Sequence, residues 1–261
     1  MQSQSIIPDL IIITIWKKSR IKLKKNKNFD YYKALKNNTD LAGRNPFKYI
    51  DIYLNRPVAA LIVRAVYNTK ITPNMITLFS GFVGILSAFF FSVGEYTYFI
   101  IGGVFAQLSS IIDGADGMLA RAKNMTSPYG TFLDLFFDRI VDFSISIGVA
   151  YGAAKYFKDP DLLLLGVLAA GLLLLQINIF YLSRSYMKKN KTGETGEMRA
   201  LQMWGILIFS CLNRLDLLIY TGLAFTIIIN IVHIIHFIRL GRNKDILLIW
   251  RPDKSEKSKA G

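Results

Sequence analysis

Four aspartates between and inside apolar segments constrain this chain more than any other feature of its sequence. Asp113 and Asp116 follow one apolar run, and Asp134 and Asp138 begin the next. In helices, spacings of three and four residues place each pair on one face. A charged side chain at membrane depth costs roughly 2.5–3.5 kcal/mol, and neighbouring carboxylates also repel one another. The sequence therefore predicts two facing helices whose carboxylates surround a cation.

The apolar content extends this prediction to the whole chain. Of the 261 residues, 52% are apolar, and the longest runs reach the length of about 20 residues that a transmembrane helix needs. We predict an all-α integral membrane protein with six transmembrane helices preceded by a juxtamembrane amphipathic helix. Its parts are a basic N-terminal arm (1–43), the amphipathic helix (44–72), the six-helix domain (73–240) and a polar C-terminal tail (241–261).

Turn signals divide the apolar runs into spans. The first span follows Thr72-Pro73-Asn74, and the second begins near Tyr96 and continues as helix to about Lys123. Loops are expected at 124–130 and 184–199 because polar residues, Gly and Pro collect there. The predicted third to sixth spans cover about 131–157, 161–182 and the two halves of 200–240. The amphipathic helix is predicted from a stripe at helical spacing, Leu54, Val58, Leu61, Ile62 and Ala65.

The net charge of +14 fits a bilayer with anionic head groups better than nucleic acid, because no nucleic-acid-binding motif accompanies it. Basic residues collect in the arm, beside Lys123, in 184–199 and in the tail. The opposite side carries only Lys155, Lys158 and Arg214. By the positive-inside rule, both termini and the acidic site face the cytoplasm. The cluster at 17–27 is either a solvated arm or a binding segment for anionic lipid.

The residues around the aspartates indicate phosphate chemistry. Gly117 and Ala120 each lie four residues after an aspartate, so the helix surface beside the carboxylates carries no bulky side chain. Carboxylate oxygens favour a hard divalent ion, Mg²⁺ first and Mn²⁺ or Ca²⁺ next. Arg121 is placed to hold an anionic group near such a site. A carboxylate left free of metal would accept a proton from an attacking hydroxyl.

Eight positions carry a resemblance to a known family. They form the pattern Asp113-x2-Asp116-Gly117-x2-Ala120-Arg121-x8-Gly130-x3-Asp134-x3-Asp138. This resembles the complete signature of the CDP-alcohol phosphotransferases. Thr72-Pro73-Asn74 with Thr77 also resembles the start of this family's first helix, a shorter match.

The resemblance implies roles for these residues. Asp113, Asp116 and Asp134 would bind metal, two Mg²⁺ or Mn²⁺ ions. Asp138 would complete the metal site and act as general base. The CDP-alcohol would be bound by the remaining signature and first-helix positions, Gly117, Ala120, Arg121, Gly130, Asn74 and Thr77. The family fold implies six spans and a homodimer.

The implied reaction transfers a substituted phosphate from a CDP-alcohol to an alcohol acceptor and releases CMP. The leading version uses CDP-diacylglycerol or a related CDP-linked lipid in phospholipid biosynthesis. An alternative within the family is a CDP-inositol-type donor that yields a phosphodiester of a polyol phosphate. Outside it, the carboxylates would also suit a cation- or proton-coupled transporter, or a prenyltransferase that holds Mg²⁺-pyrophosphate. The transporter does not require Gly117, Ala120, Arg121 and Gly130 at fixed offsets. The two acidic motifs of prenyltransferases usually lie far apart in sequence, whereas here a single loop joins them.

Other polar residues have two interpretations each. The basic residues Arg184, Lys188, Lys189 and Arg199 either set the topology of a loop or receive a phosphorylated acceptor. Asp142 extends the row of Asp134 and Asp138 by one turn and is predicted to pair with a neighbour such as Arg139 rather than to bind metal.

Overall fold

The structure is a computed structural model that describes residues 51–187 and 194–242. Within these ranges a π-helical turn, Asp51–Asn55, leads into seven α-helices. They are α1 (Arg56–Val66), α2 (Pro73–Ser92), α3 (Tyr96–Ala122), α4 (Pro128–Phe157), α5 (Asp161–Met187), α6 (Glu194–Cys211) and α7 (Leu215–Arg242). The predicted all-α class is confirmed for this part of the chain. The basic arm and all but the first two residues of the predicted tail lie outside it.

Four of the helices, α2, α3, α5 and α7, are long and apolar enough to cross a membrane. The other two long helices carry charged residues that lower their mean hydropathy, Asp134 and Asp138 in α4 and Arg199 in α6. The described helices are therefore those of an integral membrane protein, and the charges are concentrated where α4 and α6 begin.

Helix α4 begins earlier than the sequence predicted. Ser127 caps it, since its Oγ accepts a hydrogen bond of 3.0 Å from the Gly130 amide, and Pro128 occupies the first turn. The predicted loop 124–130 is therefore wrong in its second half. Proline fits a first turn because its missing N–H would have no helical partner there. As a result Gly130 lies inside the first turn of the helix that carries Asp134.

The predicted loop at 184–199 is also wrong for most of its length. Helix α5 continues to Met187, and α6 begins at Glu194, so that Arg199 lies in the second turn of a helix. A polar helical turn is compatible with a membrane protein when its charged side chain is paired inside the bundle. Arg184 lies within α5, but its side chain is not described. Lys188 and Lys189 lie outside the described residues.

Helix α2 is the support for both acidic helices. It packs against α3 and α4, which touch each other little. Ser109 of α3 donates a hydrogen bond of 2.8 Å to the carbonyl of Ser80 in α2. On the other side, Gly148 of α4 lies so close to the Ala88 carbonyl of α2 that a Cβ would not fit. The shared contact with α2 thus sets the separation of the two acidic helices.

Helix α1 lies within the predicted 44–72, of which 44–50 fall outside the described residues, and it packs on α3. Its buried side is made of small residues, Ala59, Ala60 and Val63. The predicted apolar stripe faces outward, with Leu54, Val58 and Leu61 exposed. Asn55, just before α1, accepts hydrogen bonds from Gln107 of α3 at 2.7 Å and Trp204 of α6 at 3.1 Å. These bonds fix the start of α1 against the bundle.

Candidate metal and substrate site

Three of the predicted aspartates meet between α3 and α4. Asp113 and Asp116 lie near the end of α3, and Asp134 lies in the second turn of α4. One carboxylate oxygen from each lies within 4.8 Å of the other two. Because α2 packs against both helices, Asp134 lies close to Asp113 and Asp116 although it follows them by 18 or more positions in the sequence.

This carboxylate triad, Asp113, Asp116 and Asp134, fits a divalent cation. Magnesium takes oxygen ligands at 2.0–2.1 Å, so two ligands on opposite sides of the ion are about 4.2 Å apart. The triad therefore needs only a small side-chain adjustment to share one ion. Asp116 is only 7% exposed, and a carboxylate so buried needs a compensating positive charge or hydrogen bonds.

The beginning of α2 forms a third wall of the site. Thr77 is buried there and donates a hydrogen bond from Oγ1 to Asp116 Oδ2. Asn74, one turn earlier, lies beside Gly130, since a Cβ on that glycine would be 3.2 Å from Asn74 Oδ1. The structure thus brings both predicted α2 residues to the acidic helices.

The end of α3 presents a cation beside the carboxylates. The Arg121 guanidinium lies along the helix surface that Gly117 leaves bare, and a Cβ on Gly117 would be 3.4 Å from its Nη1 and Nη2. Ala120 is half-buried next to it, and Arg121 itself is exposed. An anionic ligand that reached the triad would therefore meet Arg121 at the edge of the site.

Arg199 of α6 is the site residue whose position sequence reasoning missed. It is 9% exposed, and its Nη1 lies 2.8 Å from Asp113 Oδ2 and in direct contact with Asp138 Oδ1. Its Nε donates to Asp142 Oδ1 at 3.0 Å. The helical spacing of Arg199 with Met203 and Ile206, which are both buried, could have indicated a helix at this position, but it does not indicate the contact with these carboxylates.

Asp138 lies beside two arginines and outside the carboxylate triad. Arg199 contacts its Oδ1, and Arg139 Nη2 lies 3.5 Å from its Oδ2. Asp142 has the same two neighbours, because Arg139 Nη1 lies 3.7 Å from its Oδ2. The predicted pairing of Asp142 with Arg139 is therefore present, and the contact with Arg199 is shorter.

The fold and the site together define a helical membrane protein with a cluster of three carboxylates that could hold a metal ion, bordered by an arginine. Residues 70–235 match the CDP-alcohol phosphatidyltransferase family. This match covers more than half of the chain, and the chain belongs to that family.

Several curated relatives share part of the sequence. A bifunctional IPC transferase and DIPP synthase from Archaeoglobus fulgidus is 31% identical over 65% of this chain and 34% of its own length. An archaetidylinositol phosphate synthase from Pyrococcus horikoshii is 33% identical over 37% of this chain and 50% of its own. A phosphatidylinositol phosphate synthase from Mycobacteroides abscessus is 28% identical over 39% and 43%. The chain thus spans between a third and a half of the length of these relatives.

Proposed function

We propose that this protein transfers a substituted phosphate group from a CDP-alcohol to an alcohol acceptor and releases CMP. The observation that carries the proposal is the convergence of three carboxylates from two helices beside Thr77, Gly117 and Arg121. The acceptor oxygen bonds to the phosphorus that bears the donor's alcohol, while the bond from that phosphorus to the CMP oxygen breaks. The acceptor hydroxyl loses its proton to a base.

Each site residue has a part in this reaction. Asp113, Asp116 and Asp134 hold the divalent ion or ions, Mg²⁺ or Mn²⁺, and Asp138 completes the set and takes the proton. Bound metal neutralises the charge of the pyrophosphate and polarises the phosphorus under attack. Arg121 binds a donor phosphate across the surface left bare by the small residues, and the other donor-binding positions are Gly117, Ala120, Gly130, Asn74 and Thr77. Asp138 lies one turn after Asp134 on α4 and outside the carboxylate triad, which supports its role as base, because a carboxylate not fully engaged by metal can accept a proton.

The acceptor is proposed to carry a phosphate, as inositol phosphate or glycerol phosphate does. Two relatives are named as synthases of an inositol phosphate lipid, which supports a phosphorylated polyol. Arg199 lies beside Asp138, so a phosphate held there would bring the acceptor hydroxyl near the base. Arg184, Lys188 and Lys189 are the further candidates for this role.

Two donors are candidates. A lipid donor such as CDP-diacylglycerol is the leading one, and the four helices that are long and apolar enough to cross a membrane support it. A CDP-inositol-type donor is the second, favoured by the relative that matches 65% of this chain and is named an IPC transferase and DIPP synthase. A cation- or proton-coupled transporter with the same carboxylates would release no CMP.

The proposed architecture has six spans. Helix α4, with 30 residues, is about 45 Å long at 1.5 Å per residue, and α6, with 18 residues, is about 27 Å long. Both approach or exceed the hydrocarbon thickness of about 30 Å. Helix α1 would lie at the interface with its exposed stripe in lipid. Both termini and the acidic site would face the cytoplasm, and the protein would act as a homodimer.

The test uses purified full-length protein in nanodiscs with anionic lipid. CDP-diacylglycerol and CDP-inositol are offered in separate reactions with inositol, inositol phosphate and glycerol phosphate, and CMP and product mass are measured together. We expect CMP and a phosphodiester to form in equal amounts. EDTA should stop the reaction and added Mg²⁺ or Mn²⁺ should restore it. If no CMP forms with any donor and acceptor, the proposal is wrong. Full activity after thorough chelation would also contradict it.

A further inference from the structure

Two carboxylates and two arginines form a closed group beside the carboxylate triad. Arg199 lies on the Oδ1 side of both Asp138 and Asp142, and Arg139 lies on the Oδ2 side of both. We call these four residues the Asp–Arg quartet. Asp142 is its most buried member, at 3% exposure, and it lies outside the signature pattern and the triad.

Arg199 connects the quartet to the metal site. Its Nη1 contacts Asp113, a member of the triad, and Asp138, while its Nε is held by Asp142. The guanidinium is thus shared between Asp113 and Asp138, which are assigned to the metal site, and Asp142, which is not. A cation at that position competes with a divalent ion for the same oxygens, because both are attracted by the same negative charge.

We propose that Asp142 is a positioning residue: it draws the Arg199 guanidinium toward itself and so leaves Asp113 and Asp138 open to a divalent ion. Among the described residues, loss of Asp142 leaves Arg199 with Asp113 and Asp138 as its ion-pair partners. Its side chain is buried and meets little water, so it would pair more closely with these two carboxylates. Asp142 therefore determines how strongly an internal cation competes with the metal. The inference rests on the proposed function, which assigns the metal to these aspartates.

Two simpler roles for Asp142 lead to different expectations. If the Asp142–Arg199 pair only joins α4 to α6, removal of either partner leaves an uncompensated buried charge and damages the site in the same direction. If Asp142 acts only through its distant negative charge, the effects of removing Asp142 and Arg199 have opposite signs and cancel in the double variant.

The experiment measures Mn²⁺ affinity in the absence of nucleotide. Full-length protein in detergent micelles is titrated with Mn²⁺, and free ion is followed by electron paramagnetic resonance. We expect Asp142→Asn to weaken binding about tenfold, a typical effect for a residue that orients metal ligands. Arg199→Gln should tighten binding, and the double variant should match Arg199→Gln alone. Asp142→Glu should stay within about threefold of the unmodified protein, because the carboxylate is retained.

The outcomes separate the explanations. A double variant that returns to the unmodified affinity would overturn the proposal in favour of distant charge, and weakening by both single variants would overturn it in favour of a simple link. An unchanged affinity in Asp142→Asn would also reject it. If Asp142→Asn does not fold, the double variant removes both buried charges, and its comparison with Arg199→Gln still decides.

Two controls complete the design. Asp216→Asn removes an exposed ion pair with Arg214 at the start of α7 and should leave Mn²⁺ affinity unchanged. Gel filtration and thermal unfolding verify that each variant is folded. If the unmodified protein neither binds Mn²⁺ nor releases CMP, the proposed function and this inference are both wrong. Normal binding and turnover with the wrong pattern in the variants would overturn the inference alone.

Discussion

The helices that hold the site and the helices that surround it are both apolar, but they are buried to different extents. In the most apolar stretch, 50% of α2 and 44% of α3 are buried inside the protein, against 17% of both α5 and α7. Helices α2 and α3 are joined by short side-chain hydrogen bonds such as that from Ser109 to the Ser80 carbonyl. In the described apolar stretches of α5 and α7, 161–179 and 215–235, few residues are buried.

Packing differs between the two regions in the same way. Gly152 of α4 lies against the Phe91 carbonyl of α2 with no room for a Cβ, whereas a Cβ at Gly171 of α5 or Gly205 of α6 would meet no atom within 4 Å. A cavity of about 420 Å³ between α4, α5, α6 and α7 is lined mainly by apolar atoms. Packing between α2 and α4 is therefore closer than at Gly171 and Gly205, although Gly166 of α5 also leaves no room for a Cβ beside Ala150 of α4. The same chemical change should have unequal effects in the two regions.

Substitution of a carboxylate should show the largest difference. Asp138→Asn should lower kcat by about 10²–10⁴-fold, because an amide cannot take the proton from the acceptor hydroxyl. Asp216→Asn in α7, which loses only an exposed ion pair with Arg214, should leave kcat unchanged, since such pairs contribute about 0–1 kcal/mol. CMP release at saturating donor and acceptor is the measurement.

A folding control is needed, since Asp138 is also paired with Arg199. Both variants should elute from gel filtration as the unmodified protein does. Turnover by folded Asp138→Asn at the unmodified rate would remove the general-base assignment, and a comparable loss in Asp216→Asn would remove the contrast between the two regions.

Loss of a hydroxyl should give a smaller difference. Thr77→Val removes the hydrogen bond to buried Asp116, and bonds to charged groups contribute roughly 1.5–3 kcal/mol, or about 10- to 100-fold in rate. Thr221→Val in α7 removes a hydroxyl whose bond to the Leu217 carbonyl, 2.7 Å, stays within its own helix. We expect kcat/KM for the donor to fall in the first variant only.

The conservative variant tests the cause. Thr77→Ser keeps the hydroxyl and should recover most of the activity. If Thr77→Ser is as impaired as Thr77→Val, keeping the hydroxyl does not restore activity, and the assignment of the loss to the hydrogen bond with Asp116 is wrong.

The two helices that carry the aspartates were predictable because the signal lies in residues close together in the sequence. The spacing of Asp113 and Asp116 follows helical periodicity, and the structure has both on α3, with Asp134 opposite on α4. The starts of α2 and α3 also lie within a few residues of their predicted positions, since Pro73 and Gly94 break the pattern there. The start of α4 was missed because Pro128 signals both a loop and a first helical turn.

Arg199 was not predictable from local pattern. It follows a stretch rich in Lys and Gly, which resembles a solvated loop, and its partners are 57 or more positions earlier in the sequence. Only the packing of α6 against α3 shows that its charge is buried among carboxylates. A pairing of this kind depends on tertiary structure, which cannot be predicted from helical spacing alone.

Glycine substitutions should give the smallest difference, and they test packing without touching the chemistry. Gly152→Ala forces a Cβ against the Phe91 carbonyl, and such overpacking costs roughly 1–3 kcal/mol. Gly171→Ala places its Cβ in open space and should be neutral or stabilising by up to about 1 kcal/mol, because alanine favours the helix. Thermal unfolding in detergent should show a lower midpoint for the first variant and an equal or higher one for the second. Equal midpoints would mean that α2 and α4 can move apart at little cost. Close packing of these two helices would then not explain why Asp134 lies near Asp113.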